Sequence, residues 1–354
     1  MDIHLSAERP VAAGSPGLPR LSVVVTVRNE VRNIGALVDS LLGQTLAPAE
    51  ILIVDGQSTD GTLEVLRPYA EDGRIRLISE DCNIAAGRNL GIRMATHELV
   101  AVTDAGCRVD SIWLEAIGRC FASADAPDVV SGNFRFDVQS PFEQEVIYAT
   151  YVGDREDSYV ARFYPSSRSI AFRKAAWEAA GGYPEWLYAA EDTLFNIRLR
   201  QLGYRFAFCR DAIVRWRPRE TWGQVWRQRF NYGRGNGRVG FGVRGYNTNI
   251  RYHLAMLLPL LLTPWTLLGP MLSLGVTVVH VRRHLWAQAA RGWHETGRFA
   301  TLLRVLALME WVRLAGIAGF LRGRLDRWTN PGIAARQREW MGVASVEELP
   351  PDGL

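Results

Sequence analysis

The chain has 354 residues, enough for one large domain or two of ordinary size. Its formal net charge is only +4 and it carries no zinc-finger, heptad or RNA-binding signature, which argues against nucleic acid as a partner. Arginines crowd its second half and it contains 12 tryptophans, a combination that suits a membrane interface. The four cysteines form no CxxC pair, so we expect a reducing, cytosolic setting.

The first elements in chain order indicate an α/β fold. Residues 1–20 have no apolar core and predict a disordered tail, not a signal peptide. Residues 21–27 are a β-branched run typical of a strand covered on both faces. A helical pattern over residues 34–42 leads to a second strand at residues 51–54. Two strands joined by a helix predict a parallel sheet.

A carboxylate stands directly after the second strand. Asp55 is followed only by Gly, Gln, Ser, Thr and Asp up to Thr62, which predicts a tight polar loop that caps a helix. Ligands of open parallel sheets lie beyond the carboxyl ends of the strands, so Asp55 stands where a small molecule would bind. The alternative for this segment alone is a capped helix without a ligand.

Polar residues also follow the other predicted strands. Residues 28–30 follow the first strand, and Asp104 follows a strand at residues 99–103. Between them, a strand at residues 75–78 precedes a small-residue loop that opens a helix at residues 83–92. The convergence of these polar ends on one edge of the sheet is difficult to explain by packing alone.

The next part of the chain is less regular. Residues 138–165 are polar and aromatic and predict no definite element. Carboxylates at the start of a helix often serve only the helix dipole, so Glu191 and Asp192 alone would be ambiguous. The remaining predicted elements are a helix at 111–121, strands at 129–137, 169–173 and 204–208, a turn at 181–185 and a helix from Glu191 to Gly203.

Arginine, glycine and aromatic residues dominate positions 222–244. Arginine presents a planar fork of donors that could clamp a diphosphate. A basic surface facing lipid headgroups is the alternative, and the residues alone do not separate the two. The side chains concerned are Gln224, Trp226, Arg227, Arg229, Tyr232, Arg234 and Arg238.

Two apolar segments follow. Residues 254–279 are uncharged and long enough to span a bilayer, although prolines interrupt them. Residues 299–321 contain Arg304, Glu310 and Arg313, and predict an interfacial amphipathic helix with Glu310 and Arg313 paired one turn apart. Arginines flank both segments, so the positive-inside rule leaves two alternatives open: a proline-broken re-entrant segment, or two crossings.

Together these residues resemble family 2 glycosyltransferases of the GT-A fold, which use nucleotide-activated sugars and invert the anomeric centre. The resemblance covers about residues 21–237. Its most specific parts are the segments Val24-Val25-Thr26-Val27-Arg28-Asn29-Glu30, Ile53-Val54-Asp55-Gly56-Gln57-Ser58-Thr59-Asp60-Gly61-Thr62, Ala86-Gly87-Arg88-Asn89-Leu90-Gly91, Thr103-Asp104-Ala105-Gly106, Gly181-Gly182-Tyr183 and Glu191-Asp192.

The resemblance implies roles for the donor-side residues. Thr26, Arg28, Glu30 and Asp55 would bind the donor, with Asp55 on the base or ribose. Arg88 would lie near the uridine or its phosphates, and Arg227 loosely matches the arginine of the family's QxxRW motif.

The metal and the catalytic base follow from the same resemblance. Asp104 matches the first acid of the DxD motif that holds Mg²⁺ or Mn²⁺, but Gly106 replaces the second acid, which weakens the expected metal site. Asp192 matches the catalytic base, which would deprotonate the acceptor hydroxyl.

The acceptor side of the site is expected near the same helix. Gly182, Tyr183, Trp186 and Glu191 are the candidates, and Tyr183, Trp186 or Tyr188 could stack on an acceptor sugar.

The predicted protein is therefore an α/β, GT-A, Rossmann-like glycosyltransferase domain at residues 21–245, followed by a helical membrane-associated region at residues 246–354. It would take a UDP- or GDP-sugar and a lipid-linked or saccharide acceptor, and would contact membrane lipids at the cytosolic face of the cell (inner) membrane. The alternatives are a polyprenyl-phosphate glycosyltransferase and a non-catalytic nucleotide-sugar-binding subunit of a polysaccharide assembly complex.

Overall fold

The computed structural model of the chain describes residues 17–151 and 165–348. Most of the predicted N-terminal tail and much of the unassigned stretch before residue 165 lie outside the described residues. The strands are β1 (Leu21–Val27), β2 (Glu50–Asp55), β3 (Arg76–Ser79), β4 (Leu99–Asp104), β5 (Cys107–Val109), β6 (Val129–Phe136), β7 (Ile170–Arg173) and β8 (Phe206–Trp216).

The helices are α1 (Ile34–Leu42), α2 (Thr62–Glu71), α3 (Ile84–Met94), α4 (Trp113–Phe121), α5 (Pro141–Thr150), α6 (Lys174–Ala179), α7 (Glu191–Gln201), α8 (Trp222–Val239), α9 (Val243–Leu257), α10 (Leu268–His284), α11 (Trp286–Thr296), α12 (Phe299–Thr329) and α13 (Pro331–Met341). Two short 3₁₀ helices cover Leu258–Leu262 and Val346–Glu348.

All eight strands belong to one sheet, in the order β3-β2-β1-β4-β7-β6-β8-β5. The pairs β3-β2, β2-β1 and β1-β4 are parallel, whereas β4-β7, β7-β6 and β8-β5 are antiparallel. All seven residues of β1 are buried, because helices joining parallel strands cover both faces of a sheet. The predicted α/β class and its parallel β1-β2 unit are confirmed.

The chain forms two compact units that interleave along the sequence. Among the described residues, the first unit comprises 17–135, 165–185 and 195–216, and the second comprises 136–151, 186–194 and 217–348. The sequence boundary expected at residue 245 differs from this division, because α8 belongs to the second unit.

Glycines explain why α8 belongs there. A side chain at Gly237 would lie 2.3 Å from the carbonyl oxygen of Phe320, and one at Gly319 would lie 2.0 Å from that of Phe230. The backbones of α8 and α12 thus meet with no room for a Cβ atom between them. The Arg- and Gly-rich stretch is therefore a packed helix, held by its contact with α12.

Helix α12 lies within the second unit, with one face buried and apolar side chains exposed on the other, so the interfacial role expected from its sequence stays a prediction. Leu302, Val305, Leu308 and Met309 are buried in a hydrophobic cluster with residues of α5, α8 and α11. Glu310 was predicted to pair with Arg313. In the structure, its two carboxylate oxygens instead bond to His253 at 3.0 Å and to His280 at 2.8 Å.

The long apolar run is broken where its prolines predicted a break. Residues 254–279 run through the end of α9, the 3₁₀ helix Leu258–Leu262 and most of α10. Among residues 17–151 and 165–348, no helix combines the length and apolarity needed to cross a bilayer.

Candidate active site

The carboxyl ends of three parallel strands meet at one edge of the sheet in the first unit. Val27 pairs with Asp55 across β1 and β2, and Thr26 pairs with Asp104 across β1 and β4. The register therefore brings together Thr26, Asp55 and Asp104, which the sequence predicted for the donor side. Asp55 is fully buried, whereas the Asp104 side chain is 31% exposed.

The loops after β1 and β2 brace one another. The backbone N–H of Asn29 donates to Ser58 Oγ at 2.8 Å, and the N–H of Thr59 donates to Asn29 Oδ1 at 2.8 Å. Asn29 and Gln57 both have φ of 57°, a left-handed conformation that non-glycine residues adopt at an energetic cost and that recurs at functional sites. The two loops thus form a fixed polar rim beside Asp55.

The side chains of this rim are held from several directions. Asp55 accepts from the Ser58 N–H at 3.1 Å and from Ser79 Oγ at 3.2 Å. The Glu30 N–H donates to Thr62 Oγ1 at 3.0 Å, and Glu30 Oε2 accepts from Asn33 at 3.0 Å. These bonds hold the two predicted donor-side acids at the strand ends. Arg28 lies on the same rim and is exposed.

Thr26 leaves a buried polar atom available at this edge. Its residue is only 8% exposed, and within the part of the chain that the structure describes its Oγ1 has no hydrogen-bond partner. Buried hydroxyls are rarely left without a partner, since this costs about 1–3 kcal/mol. A ligand hydroxyl or phosphate oxygen at the strand ends would satisfy it.

Helix α3 brings a cation to the same edge. Asn83 caps its start by accepting from the Ala86 N–H at 2.9 Å. A side chain at Gly91 would lie 2.5 Å from Val24 Cγ1, and one at Gly87 would lie 3.1 Å from Thr26 Cγ2. Both glycines let α3 approach β1 closely. The small residues at the start of α3 are therefore explained by packing.

Arg88 is the residue that this close packing positions. Its side chain is 2% exposed, and Nη2 donates to Asp104 Oδ1 at 2.7 Å. Its guanidinium carbon lies 5.3 Å from the ring centre of Tyr183. A buried arginine on a partly exposed acid fixes that acid, because charge-assisted hydrogen bonds are short and directional. Within the part of the chain that the structure describes, no hydrogen bond to the second carboxylate oxygen of Asp104 is seen, so a ligand could use it.

Glu30 faces the position where the second acid of a DxD motif is missing. A Cβ atom built on Gly106 would lie 3.7 Å from Glu30 Oε1, with no other atom in contact. The carboxylate of Glu30 therefore adjoins the space that an acidic side chain at residue 106 would enter. Its position makes Glu30 a second candidate oxygen ligand beside Asp104.

Asn89 is a positioning residue that the sequence did not single out. Its Oδ1 accepts from the Tyr183 N–H at 2.8 Å and from Trp177 Nε1 at 3.0 Å, and its Nδ2 donates to the Tyr183 carbonyl at 2.8 Å. Gly182 has φ of 71°, and a side chain there would meet Asn89 Oδ1 at 2.8 Å. The feature of the sequence that could have indicated this role is the position of Asn89 directly after Arg88.

Comparison with known proteins agrees with this geometry. Residues 22–179 match the family described as glycosyl transferase family 2. Residues 22–179 therefore correspond to a family 2 glycosyltransferase domain. It is a glycosyltransferase, with relatives named for glycosyl transfer and for polysaccharide and O-antigen synthesis.

Two relatives extend over most of the glycosyltransferase. Glycosyltransferase AglE of Haloferax volcanii is 26% identical over 86% of this chain and 96% of its own length. The succinoglycan biosynthesis protein ExoA of Rhizobium meliloti is 28% identical over 86% of this chain and 94% of its own. The mannosyltransferase PcManGT of Pyrobaculum calidifontis, solved with GDP-Man and Mn²⁺, has a TM-score of 0.55 at 20% identity, over 90% of this chain and 92% of its own, and shows the GT-A-like fold.

The predicted catalytic base lies in the second unit. Asp192 is half-buried in the first turn of α7, and its Oδ1 accepts from the Thr193 N–H at 2.7 Å. Ala190, just before the helix, has φ of 66°, so this turn holds a strained non-glycine residue. Glu191 is 6% exposed, and Trp186 in the same unit is half-buried.

Tyr183 does not fit the stacking role that the sequence suggested. It is 1% exposed, its ring stacks on Phe195 at 4.3 Å, and its hydroxyl bonds to Ser167 at 3.0 Å. Both faces of a buried ring are unavailable to a sugar. Tyr183 and its neighbour Gly182 instead belong to the packing that fixes Arg88 and Asn89.

The arginines of α8 divide into two groups. Arg234 Nε and Arg238 Nε both donate to the buried carboxylate of Asp326, at 2.5 and 2.8 Å, and their guanidinium carbons lie within 6 Å of the Tyr188 ring centre, at 5.8 and 5.1 Å. These two arginines therefore hold α8 on α12, and the diphosphate role considered for them does not fit. Arg227 is exposed on the same helix.

Gln224 is likewise engaged in local structure. Its N–H donates to Thr221 Oγ1 at 3.3 Å, and its Oε1 accepts from the Glu220 N–H at 3.0 Å. This is close to a capping box, which satisfies free N–H groups at a helix start. The glutamine of the loosely matched QxxRW motif thus caps α8.

Proposed function

We propose that this glycosyltransferase moves a sugar, with inversion, from a UDP- or GDP-sugar to a lipid-linked or saccharide acceptor at the cytosolic face of the cell (inner) membrane. The observation that carries the proposal is the edge of the sheet where Asp104, held by buried Arg88, adjoins the unpartnered hydroxyl of Thr26. A site of this kind suits a nucleoside diphosphate, whose hydroxyls and phosphates need both acceptors and donors.

The residues at this edge divide the work of donor binding. Asp55 lies at the buried base of the loop and would accept from the nucleoside, and Thr26 would donate to it. Arg28 is exposed and supplies positive charge for the phosphates. Arg88 acts through Asp104, whose orientation it fixes.

The same edge suits a divalent cation. Mg²⁺ and Mn²⁺ prefer oxygen ligands, and Asp104 and Glu30 both present carboxylate oxygens beside Gly106. A bound cation would neutralise the charge that develops on the departing diphosphate. PcManGT, with the same fold, was solved with Mn²⁺ and GDP-Man, which supports this choice of ligands.

Asp192 is proposed to take the proton of the acceptor hydroxyl. General-base catalysis by a positioned carboxylate contributes about 10²- to 10⁴-fold to the rate. As the hydroxyl oxygen bonds to the anomeric carbon, the bond from that carbon to the diphosphate oxygen breaks. Arg227, exposed on α8, is proposed to add positive charge for the leaving group.

A lipid-linked acceptor is supported by exposed apolar side chains of the second unit, among them Trp265, Leu267 and Met271. The relatives AglE and ExoA, one named a glycosyltransferase and the other a succinoglycan biosynthesis protein, extend over most of the chain including this region. Polyprenyl phosphate itself is the alternative acceptor. It would reach the site along the same apolar side chains.

A two-step experiment tests the proposal. Thermal shift of the full chain with UDP- and GDP-sugars and Mn²⁺ should identify one donor, because a ligand of the folded state raises the Tm. That donor, radiolabelled, is then incubated with free polyprenyl phosphate, lipid-linked saccharides and soluble oligosaccharides. Label in any product supports glycosyl transfer and names the acceptor, whereas a donor that binds without transfer to any of these would contradict the proposed acceptors.

A further inference from the structure

The apolar run at residues 254–279 folds back on itself as an antiparallel hairpin. Ser273 Oγ donates to the Met256 carbonyl at 2.6 Å, and a side chain at Gly269 would lie 2.1 Å from the Pro259 carbonyl oxygen. The paired positions converge toward residues 263–267, which form the tip between the 3₁₀ helix and α10. We call this segment the apolar hairpin.

A single carboxylate joins the two arms of the apolar hairpin at its base. Glu310 on α12 bonds through one oxygen to His253 of α9 at 3.0 Å and through the other to His280 of α10 at 2.8 Å. Arg313, one turn further on, donates to the His284 carbonyl at 2.9 Å. The hairpin is thus tied to α12, one face of which is buried in the hydrophobic cluster of the second unit.

Beyond this base, large apolar side chains face outward on both arms and at the tip. Trp265 is 79% exposed and Leu267 is 76% exposed. Soluble monomers seldom expose a contiguous apolar patch of this kind, and where they do it marks an interaction site. The other exposed side chains are Leu254, Leu257, Leu258, Leu260, Leu261, Leu262, Leu268, Met271, Leu272, Leu274, Val278 and Val279.

The height of the apolar hairpin matches one leaflet. At 1.5 Å per residue, the part of α10 from Leu268 to Val279 rises about 18 Å, slightly more than half of the roughly 30 Å hydrocarbon core of a bilayer. The prolines that break the run keep either arm from continuing through the second leaflet. The hairpin is therefore long enough to enter a bilayer and too short to cross it.

Charge changes abruptly at the base. No Asp, Glu, Lys or Arg occurs between Arg251 and Arg282, and Arg251, Arg282 and Arg283 are all exposed there. A cavity of about 430 Å³, lined by Thr277, Val278, Val281, Arg282 and Trp286, opens at the same level. An apolar projection with arginines at its base is complementary to lipid chains beneath anionic headgroups.

We propose that the apolar hairpin inserts into one leaflet of an anionic bilayer, with Trp265 at its deepest point and Arg251, Arg282 and Arg283 at the headgroups. This deepens the proposed function and rests on its membrane location, because it names the surface and the lipid charge that would hold the enzyme there. Of the two membrane arrangements left open by the sequence, it selects the re-entrant one.

Vesicle binding tests the insertion without donor or acceptor. The full chain is sedimented with vesicles of phosphatidylcholine alone, or of phosphatidylcholine with about 30% of the anionic lipid phosphatidylglycerol. The Trp265→Ser variant should bind the anionic vesicles about tenfold or more weakly, since one large buried apolar side chain is lost. Trp328→Ser removes a tryptophan that is equally exposed, at 79%, but lies on α12, and it should bind like the wild type.

Two further measurements separate the possible outcomes. Replacing Arg282 and Arg283 by Gln should weaken binding to anionic vesicles by about fivefold for each residue and leave binding to neutral vesicles unchanged. A fluorophore at a Trp265→Cys substitution should be quenched by nitroxides on the lipid chains more than by nitroxides at the headgroups.

The proposal is overturned if Trp265→Ser binds as the wild type does, or if headgroup nitroxides quench best. It is also overturned if the Trp265→Ser variant turns a dimer into a monomer in size-exclusion chromatography while vesicle binding stays unchanged, since the hairpin would then cover a second copy. Donor binding and transfer to a soluble acceptor are measured on the same variants, so loss of vesicle binding with intact transfer leaves the chemistry standing.

Discussion

Arg88 donates from Nη2 to Asp104 Oδ1 at 2.7 Å, and the arginine is almost fully buried while the aspartate is about one-third exposed. The pair differs from a surface salt bridge, because the arginine is buried and loss of its partner would leave a buried charge uncompensated. The bond fixes the orientation of the Asp104 carboxylate. In the proposed donor site, the acid that matches the first position of the DxD motif would therefore be oriented before the donor binds.

Replacing Arg88 by Lys should weaken binding of a nucleoside diphosphate with Mn²⁺ by about tenfold, because a lysine cannot reproduce the guanidinium geometry toward Asp104. Isothermal titration calorimetry on the full chain measures this. Arg93→Lys is the control, since Arg93 lies on the same helix with a side chain that is 54% exposed. Unchanged affinity in Arg88→Lys, with an unchanged Tm, would show that the pair does not organise the donor site.

Metal binding should depend on Glu30 as well as Asp104. Glu30→Gln should weaken Mn²⁺ binding in the presence of nucleotide by about tenfold, since one carboxylate near the ion becomes neutral. Gly106→Asp should strengthen Mn²⁺ binding to the free enzyme, because it restores the second acid in a space whose nearest atom is Glu30 Oε1. Calorimetric titration of Mn²⁺ with each variant decides this, and equal affinities in all three proteins would remove Glu30 from the metal site.

Glu50, at the opposite end of β2, should make the first unit sensitive to acid. Burial alone would raise the pKa of Glu50, but hydrogen bonds from Ser22, Thr96 and Arg76 outweigh burial and lower it from 4.5 to about 2. A carboxyl whose folded pKa is depressed stabilises the fold above its unfolded pKa, so this stability is lost as the pH falls from about 4.5 to about 2. Glu50→Gln should reduce the free energy of unfolding at pH 7 by roughly 1–3 kcal/mol. It should also make the decrease in that free energy between pH 7 and pH 3 smaller than in the wild type.

Urea unfolding at pH 7 and pH 3 measures the effect of Glu50. Glu98→Gln is the matched control, since Glu98 is 70% exposed and its ion pair with Arg173 should contribute less than about 1 kcal/mol. A Glu50→Gln variant that loses as much stability in acid as the wild type would contradict the assignment.

Gly237→Ala should destabilise the protein by about 2 kcal/mol or more, because its Cβ would lie 2.3 Å from the Phe320 carbonyl oxygen, a backbone atom that cannot move alone. Gly223→Ala lies on the same helix with no atom within 4 Å of the new Cβ, and should be neutral or stabilising by up to about 1 kcal/mol. Thermal unfolding compares them. If both variants unfold alike, α8 is not held by close contact with α12.

The sequence predicted β1, β2 and β4 of the parallel half of the sheet well, because these strands are almost wholly buried and appear as apolar runs. Strand β5 is three residues long, too short for a pattern, and β8 continues beyond the segment predicted for it through charged and apolar residues that do not alternate regularly. Helix α8 was hidden by its glycines, which disfavour an isolated helix. Close packing against α12 overrides that preference, and α12 lies too far along the chain for a local sequence pattern to reveal the contact.

Site residues followed the same division. Asp55 and Asp104 could be placed because each directly follows an apolar run that was predicted to be a strand. The burial of Tyr183 and the commitment of Arg234 and Arg238 to Asp326 depend on contacts between distant segments, which a local motif does not encode. Aromatic and arginine residues near a binding motif are ambiguous for this reason.

The proposed role of Asp192 is tested most directly by measuring transfer and donor binding together on the wild type and on Asp192→Asn, with Glu191→Gln as the neighbouring control. The account predicts that Asp192→Asn reduces transfer by about 10²-fold or more, because a general base is lost, while the Kd for the donor changes less than about threefold. Glu191→Gln should keep a substantial part of the rate. An Asp192→Asn enzyme that retains more than about a tenth of the wild-type rate would contradict the assignment of Asp192 as the base.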